Sequence, residues 1–484
     1  MKSINFDRMQ FLFVFVFVVV NALILLGAQA KIEDGTLYHP TYWNASDGQR
    51  YWGVAINLAE KGQFTIPAYL SEKWKSTNPA GVDEPLRRAG PVPALIFSVP
   101  IKLFGLERAS IWIVGFQCLL LFAAGLLARE LCTPYRVNKS LIQALLIFNP
   151  NLISLAHHAQ SDLIFTFLIV VSLVLVTRIF VKPYGLSMTH SALLGVTVGL
   201  LPLTRPLGLY YVVFLLAYLF VILIRDRGEI SSPGYGIRVQ FIVISIVIGM
   251  LVTLPWGLRN KIVLDHFGVT YSEGIMMKWH YDALQDYRRT KDKEKWEGYY
   301  LEKHGVTDNC IGDVNCKRRV FNAYLDGILD TPTVEIGRAL AISWAKLFVS
   351  GGISQLTRYL GVDTPLAYAF LESSQSVLGD TINLISKLIK SYAQYLILFG
   401  IAVWFAFISR VLGILGIAVV LRNTVALRCT IFYLMCICLF LAIYLFSSIG
   451  RFRAPLEPIL MLFTVIGITG VREAVGRYRK YKSK

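Results

Sequence analysis

About ten stretches of 17–25 largely apolar residues recur along this chain, and a segment of that length without a polar face has no stable place in water. They lie near 11–30, 109–128, 141–157, 163–181, 190–204, 208–224, 239–257, 391–409, 429–447 and 457–471. The runs at 190–204 and 208–224 are short and share Pro202 and Pro206, which marks them as broken or partly re-entrant. With 55% hydrophobic and 16% charged residues, the composition excludes a soluble globular domain. The pattern predicts an all-α polytopic membrane protein of about 10–13 transmembrane helices with two large external loops.

A formal net charge of +17 would suit a nucleic-acid binder until it is distributed along the chain. The bases concentrate in segments 2–8, 129–139, 178–182, 225–238 and 410–428 and in the tail 472–484, between alternate apolar runs. That is the positive-inside pattern; it puts both termini in the cytoplasm and needs no nucleic acid. The apolar run 411–421 reads as an extension of the preceding helix or as an interfacial segment, because a further crossing would export the basic tail. Residues 1–30 imitate a signal peptide ending in Ala28-Gln29-Ala30, but the apolar run is longer than such a leader has, so it reads as an uncleaved first span.

These boundaries divide the chain into a transmembrane module at 1–257 that includes a first external loop at 31–108. A second external loop with short membrane-associated helices follows at 258–390, and C-terminal helices with a basic cytoplasmic tail occupy 391–484. Within the loops, 47–62, 92–104 and 339–349 read as helices. Cys118, Cys132, Cys429, Cys436 and Cys438 belong to the apolar runs or their edges as packing residues. Cys310 and Cys316 lie in the second loop, where the compartment permits a disulfide. No cluster of ligands calls for a metal or other cofactor, and the sequence leaves a divalent ion open.

Chemistry-bearing residues gather in the segments assigned to the outer face. Asp47 and Arg50 stand three apart at the start of an amphipathic run, so they share one helical face. Asp47 reads as a helix N-cap or as a general base at the lipid–water boundary. Asp162 opens the fourth apolar run and reads as a cap or as a second functional acid. Next to it, His157 and His158 are candidates to line a substrate, as is Tyr51, although adjacent histidines diverge on a helix. Arg50, Arg87, Arg88, Arg205, Arg259, Arg451 and Arg453 all fall where the positive-inside pattern disfavours bases. A guanidinium there snorkels to head groups or binds phosphate oxygens through its planar fork. The sequon Asn44-Ala45-Ser46 would put a glycan beside Asp47 in a host that glycosylates it, which favours a bacterial host.

Taken in order, several short motifs resemble a known group. Asp47-Gly48-Gln49-Arg50-Tyr51 with Gly62-Gln63-Phe64-Thr65-Ile66-Pro67 is similar to the first loop of the bacterial lipid A aminoarabinose transferases. Those enzymes belong to the GT-C class of membrane glycosyltransferases, with the protein O-mannosyltransferases. Further matches are Arg88-Ala89-Gly90-Pro91-Val92-Pro93, Ser161-Asp162, Thr204-Arg205-Pro206, Pro255-Trp256-Gly257-Leu258-Arg259-Asn260 and Arg451-Phe452-Arg453-Ala454-Pro455. The resemblance covers most of the chain and implies a GT-C-type bundle using a polyprenyl-phosphate sugar. It implies Asp47 as the catalytic acid/base position, Arg50 on the phosphate side and Asp162 as the second acid. One departure matters: the group carries a lysine before a proline in its first loop, whereas Glu84 precedes Pro85 here, so Arg87 or Arg88 has to supply that charge.

The expectation is therefore an inverting transfer at the periplasmic or outer face of a bacterial inner membrane. The donor is a sugar on a polyprenyl phosphate, the acceptor a glycan, a lipid or a protein, and membrane lipids surround the chain. A transporter or flippase of a lipid-linked saccharide is the alternative, and it would want charges buried in mid-span, in which these runs are poor. A structural subunit would leave the outer arginines without a purpose.

Overall fold

The computed structural model describes residues 8–29, 31–33, 36–43, 46–67, 83–86, 89–181, 186–225, 233–269, 273–288, 293–306, 314–360, 393–420, 426–446 and 450–482. The first part comprises α1 (Arg8–Leu26), strands β1 (Lys31–Glu33) and β2 (Thr36–Tyr38), α2 (Pro40–Trp43), α3 (Ser46–Lys61), and strands β3 (Thr65–Ile66) and β4 (Glu84–Pro85). Next come α4 (Pro91–Phe104), α5 (Leu106–Ala128), a 3₁₀ turn at Arg129–Tyr135, α6 (Lys139–Ile147), α7 (Pro150–Ala156), α8 (Asp162–Val181), α9 (Met188–Thr204), α10 (Leu207–Arg225) and α11 (Pro233–Leu264). A layer of helices follows: α12 (Glu273–Arg288), α13 (Lys293–Lys303), α14 (Val314–Leu329), α15 (Thr333–Val349) and α16 (Ser354–Tyr359). The chain closes with α17 (Ala393–Val420), α18 (Leu427–Tyr444), a 3₁₀ turn at Gly450–Leu456 and α19 (Glu457–Lys482). Among the described residues the strands form two antiparallel pairs, β1–β2 of three residues each and β3–β4 of two.

Seven helical stretches among the described residues are long and apolar enough to cross a membrane, and Gln10–Leu26, Pro91–Phe104 and Met188–Thr204 are shorter apolar helices. Two of the seven form the centre of the bundle. Within the 18 most apolar residues of Asp162–Val181 and of Gly450–Tyr478, 78% are buried inside the protein, against 28–44% for the other five, whose remaining apolar faces suit lipid. The two central stretches begin with Asp162 and with the turn carrying Arg451, so the most enclosed helices present charge at one end.

The run 141–157 is not one span. Asn149-Pro150 divides it: Pro150 occupies the first turn of α7, where a missing N–H costs nothing, and Asn149 Oδ1 accepts from the N–H groups of Asn151 and Leu152. The run 411–421 does extend the preceding helix, as α17 continues unbroken to Val420. Arg410 is thereby relocated. Rather than ending a span at the cytoplasm, it sits inside the stretch Ile397–Val420, bound by both Nη2 contacts to the carboxylate of Glu457 at 2.9 Å. A buried carboxylate makes a mid-helix arginine tolerable, and apolar patterning alone does not reveal such a partner.

Small residues set how closely α17 and α19 lie. A Cβ on Gly416 would stand 2.0 Å from the Phe463 carbonyl oxygen, and one on Gly467 would stand 1.9 Å from that of Leu412. Where lipid offers no hydrophobic drive for association, such backbone proximity supplies the packing. Thr464 Oγ1 donates to the Ser409 carbonyl at 2.8 Å across the same seam. Gly416→Ala is expected to destabilise by about 1–3 kcal/mol, since backbone has to move to admit the methyl group. Thermal unfolding in detergent checks this; an unchanged Tm would contradict it.

Candidate active site

The cleft is assembled from four segments remote in sequence. α3 brings Asp47, Arg50 and Tyr51; the break between α9 and α10 brings Arg205; α12 brings Met276, Trp279 and His280; the end of α18 and the following 3₁₀ turn bring Tyr444, Arg451 and Phe452. Ser161 joins just before α8, and together these residues outline an open cleft of about 730 Å³.

Local sequence explains each placement. Asp47 occupies the first turn of α3, where a negative charge meets the positive end of the helix. Arg205 precedes Pro206, whose ring pushes the preceding residue out of helical geometry, so Arg205 is extended at φ −144° and ψ 141° and α9 ends at Thr204. Its guanidinium turns to the carboxylate of Asp162, forming a buried ion pair. In the 3₁₀ turn three residues complete one revolution, so Arg451 and Arg453, two apart, face different surroundings.

Arg451 Nη2 donates to Asp47 Oδ2 at 2.6 Å, while Arg50 Nη1 lies 4.0 Å from Asp47 Oδ1. The Arg451 and Arg205 guanidiniums stand 5.2 and 5.9 Å from the centre of the same Phe452 ring, which itself stacks on Tyr444 at 4.7 Å. An aromatic ring within 6 Å of both guanidiniums eases the approach of two like charges. Three guanidiniums, those of Arg50, Arg205 and Arg451, thus gather around the carboxylates of Asp47 and Asp162. Asp47 is a quarter exposed at the side chain and Asp162 only 2%, so Asp47 is the carboxylate that incoming molecules reach.

Burial opposes ionisation of Asp47, but Arg451, Arg50 and Arg205 outweigh it and hold its carboxyl below the usual carboxylate range. Because the folded value is depressed, the stabilisation from this ion pairing is fully present above the ordinary carboxylate pKa of about 3.9 and fades only as pH falls through the lower folded value. Burial, with the Asp47 charge beside it, pushes the Tyr51 phenol up despite a hydrogen bond with Ser161. Burial lowers His280 to about 4, so its ring is neutral at physiological pH. If Asp47 is the essential base of the free enzyme, kcat/KM should show no acid limb between pH 5 and 7. A limb near pH 6 would assign the base elsewhere.

Gly90 fits the first loop against this centre. A Cβ there would fall 1.8 Å from the Leu203 carbonyl oxygen, one residue before Thr204-Arg205. Gly90→Ala is expected to displace the Arg205 turn and cost about 1–3 kcal/mol. A lowered Tm in detergent would show it, and an unchanged one would contradict it.

Other residues singled out from sequence lie elsewhere. His157 and His158 are fully buried rather than lining the cleft, their Nδ1 atoms bonded to the carbonyl oxygens of Ile153 and Ser154 one turn back. Both rings pack edge-on against Tyr359. Arg259 donates to the carbonyls of Leu86 and Phe64 at 3.1 and 3.2 Å and lies over Trp256, tying together the two ends of the β3–β4 pair. Arg453 is buried, bound to Glu457 and to the carbonyls of Phe348 and Ser350 at 3.1 and 2.8 Å. Arg87, Arg88 and Cys310 lie outside the described residues; Cys316 is disulfide-bonded and buried. Among the described residues no group of three His, Cys, Asp or Glu side chains is placed to hold a metal. Sequence reasoning missed Trp279 and His280; the signal was an aromatic–histidine pair at the edge of an otherwise charged loop.

No protein-family model matches the chain, and no curated protein matches it. Among solved structures it is similar to the archaeal oligosaccharyltransferase AglB from Archaeoglobus fulgidus, solved with an inhibitory peptide and a dolichol-phosphate. That likeness has 11% identity and a TM-score of 0.48, covering 98% of this chain and 52% of that one. The chain thus spans about half the length of the oligosaccharyltransferase. It is also similar to ArnT from Cupriavidus metallidurans bound to undecaprenyl phosphate, at 14% identity and a TM-score of 0.38, over 96% of this chain and 77% of that one.

Proposed function

We propose that this chain is a membrane glycosyltransferase that moves a sugar from a polyprenyl-phosphate donor to an acceptor hydroxyl at the outer face, with inversion. The observation that carries the reading is the contact between Arg451 and Asp47: a cation for a phosphate and a base for a hydroxyl share one cleft at the end of the two most buried helices.

The donor phosphate enters beside Arg451, Arg205 and Arg50, whose donors stabilise the charge that grows on the departing lipid phosphate. A phosphate leaves without a proton, so this positive cluster replaces a general acid. As the phosphate engages Arg451, it draws that guanidinium from Asp47. The carboxylate then loses its strongest opposing charge and gains basicity when the acceptor hydroxyl needs a proton acceptor. The hydroxyl oxygen attacks the anomeric carbon opposite the phosphate, its proton passes to Asp47, and the C–O bond to the phosphate breaks. Trp279, half exposed within the same cleft, gives a sugar ring an apolar face.

Purified protein in lipid nanodiscs, supplied with a polyprenyl-phosphate sugar and candidate glycan, lipid or protein acceptors, should release polyprenyl phosphate. Movement of the intact donor between the leaflets of a vesicle without release would instead make the chain a transporter.

A further inference from the structure

On another side of the 3₁₀ turn from the cleft, two cations share one acid. Arg410 and Arg453 both bind Glu457, which is fully buried. Arg453 is further taken up by backbone carbonyls of α15 and its C-terminal end. Arg410 also gives Nη1 to Ser409 Oγ at 3.1 Å, but its Nε is buried and has no hydrogen-bond partner. The Arg410 side chain is 10% exposed, so the triad holds a surplus positive charge where water scarcely reaches. Such a charge is costly without a counter-ion.

Arg410 and Ser409 stand in the wall of a groove of about 990 Å³ whose other walls are apolar, among them Phe407, Ile414, Ile417 and Leu434. From Phe407 to Ile417 the wall follows α17 for about 15 Å, at about 1.5 Å per residue. Apolar walls call for a hydrocarbon chain, and the surplus guanidinium charge calls for an anion at its head. A free phosphate ion would leave the walls uncovered. A zwitterionic lipid would bring its own ammonium toward the triad.

We propose that this groove binds an anionic phospholipid, with its phosphodiester on Arg410 and an acyl chain along Ile414, Ile417 and Leu434. The bilayer around these helices supplies that ligand at high local concentration, so even modest affinity keeps the site filled. The proposal stands independently of what the cleft does.

The test uses the full chain purified in detergent. Native mass spectrometry should find one phosphatidylglycerol retained. After delipidation, added phosphatidylglycerol should raise Tm by about 2 °C or more, and phosphatidylethanolamine should not. Ile414 is 66% exposed, so Ile414→Trp fills the groove without touching the triad and should remove both effects. Leu434→Trp, from the facing helix, should do the same. The proposal is overturned if no lipid is retained and no Tm responds, if phosphatidylethanolamine acts equally, if polyprenyl phosphate alone protects, or if both tryptophan variants keep the response.

Discussion

Asp47→Asn is expected to lower donor turnover by about 10²–10⁴-fold, the range typical of losing a general base. The side chain keeps its size and one oxygen able to accept from Arg451, so α3 should stay docked and Tm should move little. What is lost is the proton acceptor. Because Asp47 is partly exposed at the cleft while Asp162 is sealed against Arg205, the second acid cannot take over without breaking its own ion pair. Release of polyprenyl phosphate, measured beside a thermal melt, separates lost chemistry from lost folding. An asparagine variant of near wild-type rate would remove Asp47 from the mechanism.

Arg451→Met should cost about 10²–10³-fold in kcat, comparable to deleting one donor from a site of developing negative charge. A higher KM for the donor should accompany it, since the same guanidinium meets the ground-state phosphate. Arg451 is a sharper probe than Arg205. Removing Arg205 would strand the buried Asp162 charge and cost about 3–5 kcal/mol, so its loss of activity would be confounded with unfolding. Removing Arg451 leaves Asp47 partly solvated and within 4.0 Å of Arg50. Lysine at 451 should recover part of the rate, because it restores the charge without the planar fork.

Much of this arrangement is legible in the sequence. The helical, lipid-facing class follows from apolar run length alone, and the α9–α10 break follows from Thr204-Arg205-Pro206. The amphipathic helix carrying Asp47 and Arg50 is readable from local spacing. What sequence could not supply was pairing across the chain. Asp47 meets Arg451 some four hundred positions away, and Arg410 meets Glu457, although Arg410 looks like an ordinary span-edge base. The run 141–157 misled because its apolar content conceals Asn149-Pro150, which restarts the helix. The outer arginines looked equivalent by position; their fates divide according to whether backbone carbonyls or a carboxylate at the cleft lie within reach. Arg259 and Arg453 are spent on carbonyls, while Arg451 keeps its fork in the cleft.

The central claim is that a lipid phosphate and Asp47 compete for the Arg451 guanidinium. Equilibrium binding of polyprenyl phosphate to wild type, Asp47→Asn and Arg451→Met tests it most directly. The asparagine variant should bind as tightly as wild type or more so, although its turnover falls, and the methionine variant should bind at least about tenfold more weakly. Equal loss of binding in both variants, or no change in either, would contradict it.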